Sequence, residues 1–483
     1  MKRLLCYLLL SLGLLIESSV LLAQPYDLVI ANGRVMDPES GLDAIRHVGI
    51  TDGTIQAISE TPLDGRDVLD ATGHVVAPGF IDLNISSKNW QANEVRALDG
   101  VTTAFVMESA PGDIEQWYEE HRSDAVINYG AAVGFWATRL DVLGDTTLEG
   151  EAQWRQMEHS KATPEQIEAI LQLIDDGLAR GALGVGMGLE YVPAATQAEV
   201  LEVFRLAARH GAPAHIHMRA WGYDDKHIRS YGDLYEVFGG AIATDVNIHV
   251  LHINSSYNDW TPIGLELIAK AQARGLPVTT EMYPYAFGGC AVGATFFDDW
   301  ETYPDEYFST KLRLASTGEW LTRERFRVLR ESNEEVHLIC YDNTEEMVRL
   351  ALKSPLTMIA SDGGGTLHPR IAGTYSRVLG HYVREEGLLT LMDALRKMTI
   401  MPALHMERRV PAMRRKGRVQ VSADADLVVF NPDIIIDRST VLEPMKPSAG
   451  MQYVLVNGAP VVRGGVIQAG VFPGRPIRAP RSE

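Results

Sequence analysis

The stretch VVAPGFIDLNISSKNW, residues 75–90, separates two different sequence patterns. Pro-Gly at 78–79 breaks the chain, and a short apolar strand begins at Phe80. Three polar residues then follow at alternate positions, so that their side chains share one face of the strand: Asp82, Asn84 and Ser86. Such a face suggests a metal site or a polar site. Amide and hydroxyl groups are nevertheless poor ligands for transition metals, which prefer imidazole or thiolate.

Before this stretch, residues 24–78 consist of short alternating strands joined by tight turns. Turn signals occur at Asn32-Gly33 and Asp52-Gly53. The chain returns to the same pattern near its other end, in MQYVLVNGAPVVRGGVIQAGVFPG (residues 451–474). We therefore predict a small β-sandwich domain built from both termini, with residues 24–78 and 406–483 as its two parts.

After this stretch, short apolar strands alternate with helices over residues 79–405. The predicted strands begin at Phe80 and continue at residues 101–107, 126–133, 184–187, 214–218, 248–253, 278–282 and 358–361. Eight strands in a βαβα order favour an α/β fold with a parallel sheet, most simply a closed (β/α)8 TIM-type barrel. Residues 286–350 are long for one connection, and we predict a lid-like excursion over the barrel mouth.

The composition limits the class of protein. The chain has 483 residues, 46% of them hydrophobic and 22% charged, which is typical of a globular protein with a barrel-sized domain and a smaller one. A formal net charge of −19 argues against nucleic acid or an anionic membrane surface as a partner. The sequence does not indicate an oligomeric state.

The N-terminus has the pattern of a secretory signal peptide. A basic segment at Lys2 and Arg3 precedes a nearly unbroken apolar run at 4–16, and small and polar residues then follow, ending in Leu21-Leu22-Ala23. The apolar run is short for a membrane span. We predict that residues 1–23 are a signal peptide and that the mature protein is periplasmic or secreted, with no membrane span. An uncleaved membrane anchor is the alternative.

The mature chain would keep two of its three cysteines, Cys290 and Cys340, because Cys6 lies in the signal segment. Two cysteines do not make a disulfide framework. They form either one bridge or two buried thiols.

Active sites of such barrels lie at the carboxyl ends of the strands. Four side chains with metal-binding chemistry occupy these positions: Glu108, His217, His252 and Asp362. Two imidazoles and a carboxylate are a suitable zinc set that leaves an open position for water. Each residue also has a purely structural interpretation, as a core histidine, a histidine that ends a strand, a solvated carboxylate or a turn former before glycine. Their joint placement favours a metal site, with zinc as the expected ion and another divalent metal as the alternative.

Motifs along nearly the whole mature chain point to one family. In chain order they include VVAPGFID, ALDGVTTAFVMES, GALGVGMGLEYVP, HVLHINSS, TTEMYPY, IASDGG and HPRIAGTYSRVLGHYVREEG. With these motifs the chain resembles the amidohydrolase superfamily, and within it the N-acyl-D-amino-acid deacylase group, which includes D-aminoacylase and N-acyl-D-glutamate deacylase. It is similar to the branch that has Glu rather than Cys after the second strand, with Glu108 at that position.

The resemblance implies roles for individual residues. It implies that four residues hold metal: Glu108, His217, His252 and Asp362. Asp362 would also be the catalytic general base. Tyr283 and Arg377 would bind the carboxylate of the substrate, for which a planar guanidinium is well suited. Core packing of Tyr283 and a surface ion pair for Arg377 are the structural alternatives.

The opening stretch departs from this family. The family has His-x-His after PGFID, whereas this chain has Asn84 and Ser86 at the corresponding positions. We therefore predict that one of the family's two metal positions is lost and that one zinc per chain remains. One zinc is enough to activate a water and polarise a carbonyl.

Two further positions differ from the family pattern, and three family residues are kept. Phe135 stands where the family usually has His, and Gly186 stands where Ser is common. The family residues that remain are Arg139, His368 and Arg370. His215 shares a strand face with His217, so it either replaces a lost ligand or fills the barrel core one layer deeper.

These observations predict an exported, metal-dependent amidohydrolase that cleaves the amide bond of small N-acyl-D-amino acids. Asp362 would take the proton of the attacking water and pass it to the leaving amine. Two alternatives remain open. The substituted positions also fit a catalytically inactive periplasmic binding protein on the same barrel, and the barrel also suits an amidohydrolase for cyclic amides or small peptides.

Overall fold

The computed structural model describes residues 25–86, 92–219, 226–332, 334–364 and 368–481. The predicted signal peptide, residues 1–23, lies outside these residues. Within the described part of the chain, no helix combines the length and the apolar character needed to cross a bilayer.

Strands from both ends of the chain form one nine-stranded sheet. The antiparallel pair of Val75–Pro78 with Leu427–Phe430 joins the N-terminal strands to the C-terminal ones. The sheet has a hydrophobic core of its own, to which both segments contribute, as Ile30 and Leu455 illustrate. Its nine strands are Tyr26–Asp37, Leu42–Thr51, Thr54–Ser59, Gly65–Asp70, Val75–Pro78, Leu427–Phe430, Met451–Val456, Ala459–Arg463 and Val466–Ile467.

Eight parallel strands form the barrel, which agrees with the predicted fold. They are β1 (Phe80–Asp82), β2 (Val101–Val106), β3 (Asn128–Ala131, continued by Val133–Gly134), β4 (Val185–Gly188), β5 (Pro213–His217), β6 (Asn247–Val250), β7 (Val278–Met282) and β8 (Thr357–Ile359). Neighbours pair in this order. A parallel bridge between Ile85 and Gly363, just beyond β1 and β8, closes the barrel.

The barrel strands are short and buried on both faces, as expected for a parallel sheet covered by helices. The predicted strand 248–253 ends early, at Val250. The reason is local, because the backbone of His252 adopts a left-handed conformation (φ +28°) and a short helix begins at the next residue.

Helices cover the outside of the barrel. Thr163 caps one of them through a capping box with Gln166, so the N-cap expected before Pro164 is present. The α-helices are Asn93–Leu98, Ile114–Glu120, Phe135–Leu143, Glu151–Glu158, Pro164–Ala179, Gln197–Arg209, Lys226–Thr244, Ile253–Tyr257, Thr261–Ala273, Asp305–Lys311, Arg323–Glu331, Glu345–Lys353, Arg370–Arg377, Leu391–Met398 and Ile400–Glu407.

The excursion between β7 and β8 has its own sheet and its own core. Three strands pair in the order Gly288–Ala291, His337–Cys340, Leu312–Leu314. Aromatic residues such as Phe297 fill the core beneath them. The last helix of the predicted range, Glu345–Lys353, contacts barrel elements instead, so the excursion ends before it.

The C-terminal segment 474–479 leaves the nine-stranded sheet and contacts the barrel. The Tyr118 hydroxyl donates to the carbonyl of Ile477 over 2.7 Å, and the amide of Ala479 donates to the carbonyl of Gly181 over 3.0 Å. Residues 474–479 therefore pack against the barrel. The segment 406–483, which we predicted as the C-terminal part of the β-sandwich, thus contributes residues to the core of the sheet and contacts to the barrel.

Candidate metal centre and active site

A cavity lies at the carboxyl ends of the barrel strands. Five of the residues predicted to bind metal or substrate line it: Glu108, His217, His252, Tyr283 and Asp362. The excursion supplies another wall through Gly288, Gly289, Cys290, Phe296 and Cys340. Part of the excursion after β7 therefore lies beside the barrel mouth.

Three of the predicted ligands converge closely. One ligand atom from each of Glu108, His217 and His252 lies within 4.8 Å of the others. His217 Nδ1 is 2.7 Å from Glu108 Oε1, and His252 Nε2 is 3.5 Å from Glu108 Oε2. The convergence follows from the fold, because β2, β5 and β6 end at the same rim of the barrel.

Backbone geometry turns two of the side chains into the cavity. His252 and Asp362 both have left-handed backbones, with φ of +28° and +49°. This conformation is uncommon outside glycine and is found preferentially at functional sites. At His252 this conformation lies between the end of β6 and the short helix that begins at Ile253, and at Asp362 it follows the end of β8.

The carboxylates and imidazoles of the cluster stabilise each other's charges. Burial alone would raise the pKa of Glu108, but His217 and His252 outweigh it and hold the pKa well below its usual range. Burial alone would lower the pKa of His217, but Glu108 and Glu190 raise it to about 10. The carboxylates and imidazoles of the cluster are thus paired with one another.

Asn84 and Ser86 occupy the positions of the missing histidines. The Asn84 side-chain amide donates to Glu108 Oε2 over 3.1 Å and to Asp362 Oδ1 over 3.4 Å. The Ser86 backbone amide donates to the carbonyl of Gly363 over 3.2 Å. Asn84 therefore bridges two acidic side chains with neutral N–H donors.

Asp362 lies in the cavity but outside the three-residue cluster. Its Oδ2 is 2.8 Å from Nη1 of Arg370. Burial raises the pKa of Asp362, and Arg370 acts against this effect. The guanidinium of Arg370 also lies over the Tyr283 ring, 4.8 Å from its centroid.

Arg377 does not reach the cavity. Its Nε donates to the carbonyl of Pro284 over 2.8 Å, and its terminal nitrogens face Glu345 at 3.3 Å and Asp437 at 3.5 Å. Arg377 is at the far end of the helix Arg370–Arg377, and the residue of that helix that lines the cavity is Arg370. In the structure Arg377 thus forms ion pairs with Glu345 and Asp437, as in the structural alternative.

Glu190 is a site residue that the strand-end argument missed. It is 5% exposed and lies in the turn after β4, and its Oε2 is 2.5 Å from His217 Nε2. Its other oxygen has no hydrogen-bond partner among the described residues. Burial raises its pKa, while His217 acts to lower it. Glu190 follows the carboxyl end of β4, in the motif GLEYVP, so the argument that site residues lie at strand ends would have identified it.

Two departures from the family pattern have simple packing explanations. A Cβ on Gly186 would lie 2.1 Å from the backbone oxygen of Met107, so a serine does not fit there. Phe135 is fully buried, and Arg139, which pairs with buried Glu199, lies over its ring.

The remaining candidate residues have structural partners. His368 Nδ1 accepts from the Arg370 amide over 3.1 Å, and His368 Nε2 is 3.1 Å from the Phe287 carbonyl. His215 lies deeper in the barrel, in contact with the rings of His249 and His405. This agrees with a core-filling role rather than a replacement ligand.

Cys290 and Cys340 lie on paired strands of the excursion, with their Sγ atoms 2.7 Å apart. Both line the cavity. Cys340 is buried and Cys290 is partly exposed, and one bridge and two thiols both stay predictions.

Comparison with known proteins identifies the family. The Amidohydro_3 model of the amidohydrolase family matches residues 67–462. The chain belongs to the amidohydrolase family. Two curated relatives of this amidohydrolase come from Alcaligenes xylosoxydans xylosoxydans. D-aminoacylase is 29% identical over 476 residues, covering 91% of this chain and 95% of the relative. N-acyl-D-glutamate deacylase is 30% identical over 489 residues, covering 90% of this chain and 93% of the relative.

A solved structure supports the same assignment. N-acyl-D-glutamate deacylase from Bordetella bronchiseptica, complexed with zinc and a phosphonate mimic of the tetrahedral intermediate, superimposes with a TM-score of 0.78 at 26% identity. The match covers 94% of this chain and 100% of that one. The predicted family, barrel fold and hydrolase class are confirmed. The protein is a metal-dependent amidohydrolase related to D-aminoacylases, acting on carbon–nitrogen bonds other than peptide bonds.

Proposed function

We propose that the protein is an exported amidohydrolase that uses one zinc ion to deacylate N-acyl-D-amino acids. One observation carries the proposal. The Glu108–His217–His252 cluster and the Asp362–Arg370 pair line the same buried cavity. The relatives named above act on N-acyl-D-amino acids, as their names state.

The donor set fits a zinc ion. Two imidazoles and one carboxylate, with ligand atoms within 4.8 Å of one another, are a common zinc-binding combination that leaves a position open. When bound, such an ion supplies Lewis acidity, which activates a water and polarises the acyl carbonyl.

The surroundings of Asn84 favour one ion rather than two. Its amide lies between Glu108 and Asp362, where it satisfies both carboxylates with N–H groups. An amide nitrogen has no lone pair to offer a metal, and Ser86 adds no imidazole. The carboxylates on this side of the cavity thus have a neutral partner in place of a second cation.

Asp362 is suited to transfer the proton. Arg370 fixes Oδ2 and the Asn84 amide lies near Oδ1, so the carboxylate is held in one orientation facing the cavity. We assign it the role of general base that takes the proton of the attacking water and delivers it to the amine nitrogen as the C–N bond breaks.

We assign recognition of the substrate carboxylate to Arg370 in place of Arg377. Arg370 is 5% exposed and lines the cavity, and its Nε has no hydrogen-bond partner among the described residues. A buried guanidinium with an unused donor is suited to a carboxylate ligand. Tyr283 stacks below it and completes this side of the pocket.

The test combines metal analysis with turnover. Protein purified without chelator should contain about one zinc per chain and release free amino acid from N-acetyl-D-amino acids. Binding of these compounds without release would indicate the binding-protein alternative. Release only from cyclic amides or dipeptides would overturn the substrate assignment. Export is tested separately, by cell fractionation and by N-terminal sequencing of the mature protein, which should begin at Gln24.

A further inference from the structure

The imidazole of His217 lies between two buried carboxylates. Its Nδ1 is 2.7 Å from Glu108 Oε1, and its Nε2 is 2.5 Å from Glu190 Oε2. The side chains of the two acids are 12% and 3% exposed. A ring held at both nitrogens has little freedom to rotate.

The two carboxylates lie on opposite edges of this ring. Glu108 also faces Nε2 of His252 at 3.5 Å, so the predicted ligand cluster lies on the Nδ1 edge of His217. Glu190 is bonded to the other edge, and only Nδ1 is therefore directed at the cluster.

We propose that Glu190 is a positioning residue for metal binding: it accepts the Nε2–H of His217 and thereby leaves the Nδ1 lone pair for the ion. This inference rests on the proposed function. Metal-binding histidines generally donate their second N–H to a carboxylate, carbonyl or water, and loss of that partner weakens metal binding about 10- to 100-fold. The second ring nitrogen of His252 has a neutral partner in place of a carboxylate: the hydroxyl of Ser256 lies 3.2 Å from its Nδ1.

The turn that carries Glu190 is itself held in place. The hydroxyl of Thr295, in the excursion, donates to the backbone oxygen of Glu190 over 2.8 Å. The adjacent Tyr191 stacks on Trp136 with centroids 5.1 Å apart, and its ring meets His217 edge-on at 5.0 Å. The excursion and the barrel together thus fix the position of the carboxylate.

The experiment measures the zinc affinity of metal-free protein by competition with a chromophoric chelator. Glu190→Ala should weaken zinc binding about 10- to 100-fold. Glu190→Gln should lose less than about tenfold, since its amide oxygen still accepts from Nε2–H. Glu158→Gln, a buried acid without contact to the cluster, is the matched control and should match the wild type.

The outcomes separate the two proposals. Failure of the wild type to bind zinc would reject the proposed function. Zinc binding by the wild type that is unchanged in Glu190→Ala, or that is lost equally in Glu190→Ala and Glu190→Gln, would overturn the role of Glu190 and leave the proposed function standing. Thermal unfolding of the metal-free variants separates a loss of affinity from a loss of fold, and the Gln variant keeps the test valid if Ala does not fold.

Discussion

The side-chain nitrogen of Asn84 lies 3.1 Å from Oε2 of Glu108. The same amide is 3.4 Å from Asp362 Oδ1, so one neutral side chain links two acidic groups at the barrel mouth. Two carboxylates in a buried site repel each other unless a cation or hydrogen-bond donors compensate them. Asn84 supplies that compensation on one side of the cavity, and the imidazoles of His217 and His252 supply it on the other.

Restoring imidazoles at these positions should change the metal count. We expect Asn84→His/Ser86→His to bind about two zinc ions per chain, because the two carboxylates would then have imidazole ligands, which suit zinc, beside them. Elemental mass spectrometry on dialysed protein measures this number. Asn84→Ala/Ser86→Ala is the control and should stay at about one. Two ions in the wild type would contradict the prediction.

Removing both imidazoles should abolish metal binding. We expect His217→Ala/His252→Ala to contain less than about a tenth of an equivalent of zinc, since a single carboxylate remains in the cluster. Deacylation should fall on the order of 1000-fold or more. The control is His405→Ala, which removes an imidazole outside the cavity. Full zinc content in the double variant would show that the metal lies elsewhere.

The two arginines should respond differently to substitution. Arg370→Lys keeps a positive charge near Asp362 but loses the planar fork, so we expect KM to rise about 10- to 100-fold, equivalent to roughly 1.4 to 2.7 kcal/mol. Arg377→Lys should change KM less than about threefold, because Arg377 faces Glu345 and Asp437 outside the cavity. Steady-state kinetics on one N-acetyl-D-amino acid distinguishes them. The reverse ranking would restore the original assignment of Arg377.

Glu158 should make stability depend on pH. Burial raises its pKa from 4.5 to about 7, and the side chain is 6% exposed overall. The folded protein therefore keeps this proton at pH values where the unfolded chain has lost it. Its contribution to the free energy of unfolding falls as the pH rises from about 4.5 to 7.

Replacing Glu158 with a neutral residue should stabilise the protein most above pH 7, where the carboxyl group would be ionised. We expect Glu158→Gln to raise the free energy of unfolding by up to about 3 kcal/mol at pH 8 relative to its effect at pH 4. Urea unfolding of both proteins at the two pH values gives the difference. An equal effect at both would mean that Glu158 ionises normally in the folded state.

Much of the barrel and its ligand set could be predicted from residues alone. Parallel strands of a barrel end at the same rim, so polar residues at strand ends must lie close together whatever the detailed packing. This argument placed Glu108, His217 and His252 in one site, and the structure agrees. The same argument, applied to the turn after β4, would have included Glu190.

Arg377 lies away from the cavity for a reason of helix geometry. Arg370 and Arg377 begin and end the same helix, and a rise of 1.5 Å per residue separates their backbones by about 10 Å. Only the residue nearest the cavity can contact a substrate. Which residue that is depends on where the helix starts relative to the rim, and the spacing within the motif does not contain this information.

The sequence by itself determined the order of strands and helices and the residue types at the strand ends, because these depend on residue identity and on local periodicity. Only the tertiary structure decided which side chains face one another across the cavity. It brought Asn84 between Glu108 and Asp362, and Glu190 to the far edge of His217, through contacts between segments distant in the chain. Such contacts depend on loop paths and side-chain directions, which barrel closure sets and no local pattern encodes.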